Sequence, residues 1–345
     1  MRGSRGVGHR YSAPILPAMD RGIHGTGVSM PAFEDLKVFT GNSHPELAKD
    51  ICGYLGIGLG ECSVFKFSND NTFVQFGENI RERDVFLVQS ISAPVNENLM
   101  ELLIMIDAAK RASAGRITAV MPYYAYGRSD KKDQPRVPIT ARLVANLITV
   151  AGADRLLTVE FHAGQIQGFF DIPVDELTAV PMLASDFLER GLSDLVIVAP
   201  DEGRVKRARD TARIVGASIA IIEKQRIGNE DRVEVLGLIG DVDGKTALIV
   251  DDEISTGGTV VAAADALREH GATDIYCYVT HPLLSGRASE TLQRSVVKGF
   301  VATDTLPVPD EKKNSKTHII SVASLLGEAI HRIHSGLSVG AMFEQ

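Results

Sequence analysis

ALIVDDEISTGGTVVAAADAL, residues Ala247–Leu267, is the stretch whose reading decides the fold. An apolar run, Ala247 to Val250, empties into Asp251 and Asp252, then into a hydroxyl and glycine turn. Val260, Val261, Ala264 and Leu267 follow at spacings of three and four. The run predicts a buried strand and the spacing an amphipathic helix, so two rigid elements hold the polar turn between them. Thr256, Gly257, Gly258 and Thr259 bring backbone N–H groups and hydroxyls to the start of that helix, where an anion is favoured and glycine allows close approach. Asp251 and Asp252 only accept hydrogen bonds, so they suit two vicinal hydroxyls better than an anion. The turn therefore reads as a grip for a sugar phosphate, with sugar and phosphate held separately. An ordinary strand-to-helix turn with an acidic N-cap is the alternative.

The same alternation extends outward. From Leu36, the runs DVFLVQS, RITAVMPY and LLTVEFH predict strands, separated by a helix carrying Leu99, Leu102, Leu103 and Ile106 and another after Pro138. The pattern restarts after Pro181 with a helix near Leu183–Leu188, then DLVIVAPD, a helix through Ala212, SIAIIEKQR, ALIVDDEIS, the helix after Gly258, and DIYCYVTHP. This is α/β architecture: two similar domains in tandem, each a largely parallel sheet flanked by helices, spanning residues 35–178 and 179–345. A final helix in HIISVASLLGEAIHRIHSG closes the fold against one of them. Ligand sites in such sheets lie beyond the carboxyl ends of strands. Arg128, His162, Asp201, Lys224 and Asp251 all fall at such ends, and five ends point to one site.

The chain has 345 residues, 44% hydrophobic and 23% charged, which is enough for two domains. Its formal net charge of -8 argues against nucleic acid as a partner, because binding the phosphate backbone needs a basic field. No apolar run reaches the roughly 18 residues that a membrane span requires, so a soluble chain is expected. Cys52, Cys62 and Cys277 lack the spacing of a zinc or redox site and fit small core residues in a reducing compartment. Residues 1–34, rich in Gly, Arg, Ser and Pro and without periodicity, read as a flexible extension. An upstream start or an appended tail suits them better than a transit peptide, and Met30 is a sensible alternative start.

The words FTGNSHPELA, ENIRERDVFLVQS, ASAGRITAVMPYYAYGRSDKK, RVPITARLVA, VEFHAGQIQGFFDIPVD, VDDEISTGGT and ISVASLLGEAIHRIH, in that order, resemble the ribose-phosphate pyrophosphokinase (PRPP synthetase) family from about Lys37 to the C-terminus. The resemblance implies two type I phosphoribosyltransferase-like domains and Mg²⁺-dependent transfer of the β,γ-pyrophosphoryl group of ATP to the 1-hydroxyl of ribose 5-phosphate, with release of AMP. It implies that Ser255–Thr259 hold the 5-phosphate and that Asp251 and Asp252 hold the ribose hydroxyls. His162 and Asp201 are implied as metal ligands, and Lys224 and Arg226 as the catalytic cations, Arg226 also touching substrate, on a loop running through IGNEDRVEVLG. Phe67, Asn69, Asp70, Asn71, Arg128 and Ser129 are implied as the ATP contacts. A cytoplasmic homo-oligomer, often a hexamer of dimers or a smaller assembly, with nucleotide sites completed across subunits, is implied as well. Taken alone, His162 also fits a hydrogen-bonded histidine, Asp201 a helix cap, and Lys224 and Arg226 two solvated charges.

The chain departs from the family pattern in three places. Its adenine loop reads FSNDN where FSDGE is usual, exchanging carboxylates for amides that donate as well as accept. Ser129 stands where glutamine is usual, and Ser255 where aspartate is commonest, so no general base is available at position 255. Weaker or less selective use of ATP is the expectation. Two other readings compete: a catalytically weak regulatory subunit of the same family, and a phosphoribosyltransferase that consumes PRPP.

Overall fold

Two sheets are built from the apolar runs. The computed structural model describes residues 35–226 and 233–343, without the side chains at 225, 226 and 233–235, so the N-terminal extension lies outside the described residues. The elements of the first half are β1 (Leu36–Thr40), α1 (Pro45–Leu55), β2 (Cys62–Lys66), β3 (Thr72–Phe76), β4 (Asp84–Val88), α2 (Val95–Arg111), β5 (Arg116–Met121), α3 (Thr140–Ala151), β6 (Arg155–Val159) and β7 (Val174–Leu177). The second half has α4 (Val180–Glu189), β8 (Leu195–Ala199), α5 (Val205–Val215), β9 (Ser218–Arg226), β10 (Val233–Ile239), β11 (Thr246–Ile254), α6 (Gly258–Glu269), β12 (Asp274–Pro282), α7 (Ala288–Arg294), β13 (Gly299–Thr303), β14 (Thr317–Ile320) and α8 (Ala323–Ser335).

The first sheet has the order β1-β4-β5-β6-β7 and is parallel throughout. The second has the order β10-β9-β8-β11-β12-β13-β14, with only its β10 edge antiparallel to its neighbour. Parallel strands are covered on both faces, which is why DVFLV in β4 is buried at every position rather than alternating. In α6, Val260, Ala263, Ala264, Ala266 and Leu267 turn inward, while Val261 is only half-buried. The stripe is therefore centred on alanines, and the expected burial of Val261 is not observed.

One apolar cluster covers the inner faces of both sheets. It joins Val38, Leu47 and Phe86 of the first half to Phe187, Ile197, Leu248 and Tyr278 of the second. Helix α8 supplies Leu326, Ala329, Ile330 and Ile333 to it. The C-terminal helix thus returns to the N-terminal half, where Tyr54 Oη donates to Glu328 at 2.9 Å and His334 Nδ1 lies 2.9 Å from Asp84. Each fully buried Leu or Ile there contributes about 1.5–3 kcal/mol. Cys52 and Cys277 are buried and Cys62 is half-buried, all three as free thiols. Among the described residues no helix is long and apolar enough to cross a membrane.

Candidate active site

The carboxyl ends of β6, β8, β9 and β11, together with the loop after β5, open into a cleft of about 1270 Å³. Arg128, His162, Asp201, Lys224 and Asp251 all line it, so the five strand ends picked out in the sequence come together. Gly127 packs tightly there: an added Cβ would sit 3.2 Å from the His162 Cβ, so a larger residue would require His162 to give by a few tenths of an ångström.

Strand β11 ends in three consecutive acids, Asp251, Asp252 and Glu253, which are 8%, 3% and 7% exposed. Buried carboxylates need partners, and Asp251 and Asp252 share one. Arg204, on the short turn Glu202–Arg204, places Nε 2.9 Å from Asp251 and Nη2 2.7 Å from Asp252. His162 Nδ1 lies 2.8 Å from the other Asp252 oxygen. Glu253 pairs with Arg128 and accepts from Tyr123 Oη at 3.3 Å. Burial and the neighbouring Asp252 charge raise the Asp251 carboxyl well above its ordinary range. Burial alone would also raise Asp252, but hydrogen bonds with His162 and Asp251 and the Arg204 charge outweigh it and hold Asp252 below. Burial and then Glu253 push the Tyr123 hydroxyl up, which keeps it a donor.

His162, Asp252 and Glu253 each offer a donor atom, all within 4.8 Å of one another. The Asp252 Oδ1 atom is buried and has no hydrogen bond of acceptable geometry, despite its ion-pair contact with Arg204. A buried, unsatisfied carboxylate oxygen beside an imidazole and a second carboxylate fits a divalent cation. Asp201, paired with His162 in the sequence reading, instead faces Lys224, whose Nζ is 2.7 Å away and whose side chain is 8% exposed. Arg226 ends β9, with its side chain outside the described residues; residues 227–232 of the expected catalytic loop lie outside them too.

Gly257, at φ 83°, turns the chain into α6, and no side chain caps that helix end. The conformation is open to glycine and strained for other residues, and it leaves the first-turn N–H groups aimed into the cleft, as an anion requires. Ser255, Thr256, Gly257 and Thr259 line the cleft and Gly258 begins the helix. Ser255 Oγ lies 3.3 Å from Ser285 Oγ, and the Ser255 carbonyl accepts from Ser285 N at 2.9 Å.

The remaining sequence candidates stand apart. Phe67, Asn69, Asp70 and Asn71 form the tip of the β2–β3 hairpin, where Phe67 N donates to the Asn71 carbonyl at 2.9 Å, and they do not line the cleft. Phe67, half exposed, stacks edge-on with Phe65 and Phe73. Ser129 is not among the lining residues either. Its Oγ accepts from Thr140 N at 3.2 Å and its carbonyl from Ala141 N at 3.1 Å, so it caps α3.

Sequence reasoning missed Glu253 and Arg204, although each adjoins a quoted motif. It also missed a buried polar seam between the sheets. Glu160, just beyond β6 and at φ 43°, pairs with Arg207 of α5. The Glu160 carboxylate accepts from Thr280 Oγ1 at 2.6 Å, Thr178 Oγ1 at 2.8 Å and Ala179 N at 2.9 Å. His281 bridges the Glu160 carbonyl and Thr305 Oγ1, at 2.9 Å each. Single acids and histidines inside apolar runs carry no spacing signal of their own.

Residues 36–152 match the model described as the N-terminal domain of ribose phosphate pyrophosphokinase, and residues 227–344 match the phosphoribosyl synthetase-associated domain. The ribose-phosphate pyrophosphokinase of Corynebacterium ammoniagenes is 52% identical over 309 residues, covering 90% of this chain and 97% of its own. That of Caldanaerobacter subterraneus subsp. tengcongensis is 53% identical, covering 89% and 98%. Among solved structures, phosphoribosylpyrophosphate synthetase from Mycobacterium smegmatis aligns with a TM-score of 0.83 at 42% identity, over 88% of this chain and all of that one.

Proposed function

Because the chain belongs to the ribose-phosphate pyrophosphokinase family, we propose that its cleft binds ATP with Mg²⁺ and ribose 5-phosphate and makes PRPP and AMP. The observation that carries this reading is the join of β11 to α6: two buried carboxylates for a diol, then an uncapped helix start for a phosphate, in one cleft with Lys224. The 1-hydroxyl oxygen attacks the β-phosphorus, the bond from that phosphorus to the AMP oxygen breaks, and AMP leaves. Lys224, with Arg226 two residues on, stabilises charge on the transferring oxygens, a contribution larger in the transition state than in the ground state. Asp251 and Asp252 orient the ribose, and Ser255–Thr259 fix its 5-phosphate. Ser255 offers no carboxylate to take the hydroxyl proton, which passes to solvent water in the open cleft. His162, Asp252 and Glu253 would hold Mg²⁺, with Asp201 lining the same cleft, and the ion would neutralise charge on the polyphosphate.

The nucleotide side brings Arg128 together with the hairpin tip Phe67–Asn71. Since that tip does not line the cleft of its own chain, a homo-oligomer, with a hexamer as the working state, supplies it from a second copy. The two sheets suit a division into residues 35–178 and 179–345 after the extension, and the free cysteines and nucleotide substrates suit a cytoplasmic enzyme. Phosphorus NMR of the chain with Mg²⁺, ribose 5-phosphate and ATP or GTP tests the reading. PRPP with AMP is expected, with weak preference over GTP because of the FSNDN loop. Folded protein that makes no PRPP would refute it.

A further inference from the structure

We propose that Arg204 is a tethered cation occupying the ribose and metal end of the cleft, which ribose 5-phosphate and the divalent ion must displace, so that this side chain weakens the affinity for both. The inference rests on the preceding reading of Asp251, Asp252 and His162 as substrate and metal groups. One guanidinium reaches all three. Nε is 2.9 Å from Asp251 Oδ1, Nη2 is 2.7 Å from Asp252 Oδ1 and 3.0 Å from His162 Nδ1, and Nη1 donates to the His162 carbonyl at 3.3 Å. The side chain is 17% exposed, so it lies in the floor of the cleft rather than over its mouth.

The contacts are exclusive by chemistry. A ribose diol donates to Asp251 and Asp252, which is what the guanidinium already does. A divalent ion at His162, Asp252 and Glu253 would need an Asp252 oxygen and an imidazole lone pair, and Arg204 sits against both residues. His162 Nδ1 cannot donate a proton to Asp252, 2.8 Å away, and at the same moment accept one from Arg204, so the guanidinium and the imidazole are already rivals. The Asp252 Oδ1 atom, left without a well-formed hydrogen bond, shows the result: Arg204 supplies charge there without satisfying the oxygen. Arg128 and Tyr123 hold Glu253 separately, so withdrawal of Arg204 leaves Asp251 and Asp252 to the incoming ligands.

The test is calorimetric titration of the full chain and of Arg204→Ala with MgCl₂ alone, then with ribose 5-phosphate in the presence of MgCl₂. Both Kd values are expected to fall by about tenfold or more in the variant, the change in an equilibrium constant that goes with losing one charge-assisted contact. Thermal melting should show the variant less stable than wild type without metal and more strongly stabilised by MgCl₂. Arg204→Gln, which keeps donors and drops the charge, serves if the alanine variant does not fold, and it should tighten MgCl₂ binding. Unchanged or weaker binding of both ligands by a folded variant, with a wild-type chain that makes PRPP, overturns the displacement and leaves the function standing. A wild-type chain that makes no PRPP removes the function, whereas tighter MgCl₂ binding by the variant still upholds competition for the carboxylates.

Discussion

Replacing Arg207 with methionine tests whether the seam between the sheets is held by a buried charge pair. Methionine keeps most of the volume and removes the guanidinium, leaving Glu160, 8% exposed, without its cation. Breaking such a pair from one side typically costs about 3–5 kcal/mol, because the surviving charge is buried and uncompensated. Glu160 keeps three donors, Thr178 Oγ1, Ala179 N and Thr280 Oγ1, which places the expected loss at the lower end, about 3 kcal/mol. Burial also lowers the Arg207 pKa against the opposing pull of Asp252 and Asp251, so the guanidinium itself bears a desolvation cost that methionine relieves. Glu160→Gln in the same chain removes the second charge, and the double variant should return to within about 1 kcal/mol of wild type. Urea unfolding, with the slope checked for constancy, reads all four corners of the cycle. A loss below about 1 kcal/mol for Arg207→Met, or a double variant as weak as the sum of the singles, would refute the reasoning.

His281 is pushed down to about 4 from 6.5, first by burial. Its unfolded form therefore binds the extra proton, so its contribution, about 3 kcal/mol, is complete above pH 6.5 and lost as the pH falls toward 4; urea midpoints should drop across that window, and less steeply in His281→Gln. Lys224→Ala should lower kcat by about 10²–10³-fold at saturating substrates while moving the urea midpoint little, since Asp201 is 29% exposed and can be solvated. An unchanged kcat would remove Lys224 from the chemistry.

The fold was legible where burial is one-dimensional. Parallel strands such as DVFLV and ALIV are apolar throughout and announce themselves, and the polar residue that ends each run marks the cleft. The helix with Gly257 at its start was readable because hydroxyl, glycine and apolar spacing coincide. What was not readable depends on contacts distant in sequence. Nothing in HIISVASLLGEAIHRIHSG tells that α8 rejoins α1, since its apolar stripe fits either half. The pairing of Asp201 with Lys224 rather than with His162 is settled by β8 lying next to β9, which a single chain read end to end does not reveal. Ser129, given as an ATP contact only by the family resemblance, bonds through its Oγ to Thr140 N at the start of α3, a contact across eleven residues that the local sequence does not reveal.

The sequence DDE at the end of β11 also explains why the two halves meet as they do. Three adjacent buried carboxylates need more counter-charge than one side chain supplies, so they draw partners from several elements. Asp251 takes its cation from the turn before α5, Asp252 takes that same guanidinium and an imidazole from the end of β6, and Glu253 takes an arginine and a tyrosine from the loop after β5. Two of those three sources belong to the first sheet. Docking the first sheet against the second is thus coupled to neutralising these three carboxylates, and a change that loosens the seam at Glu160, two residues from His162, reaches the Asp252 end of the cleft through β6 itself.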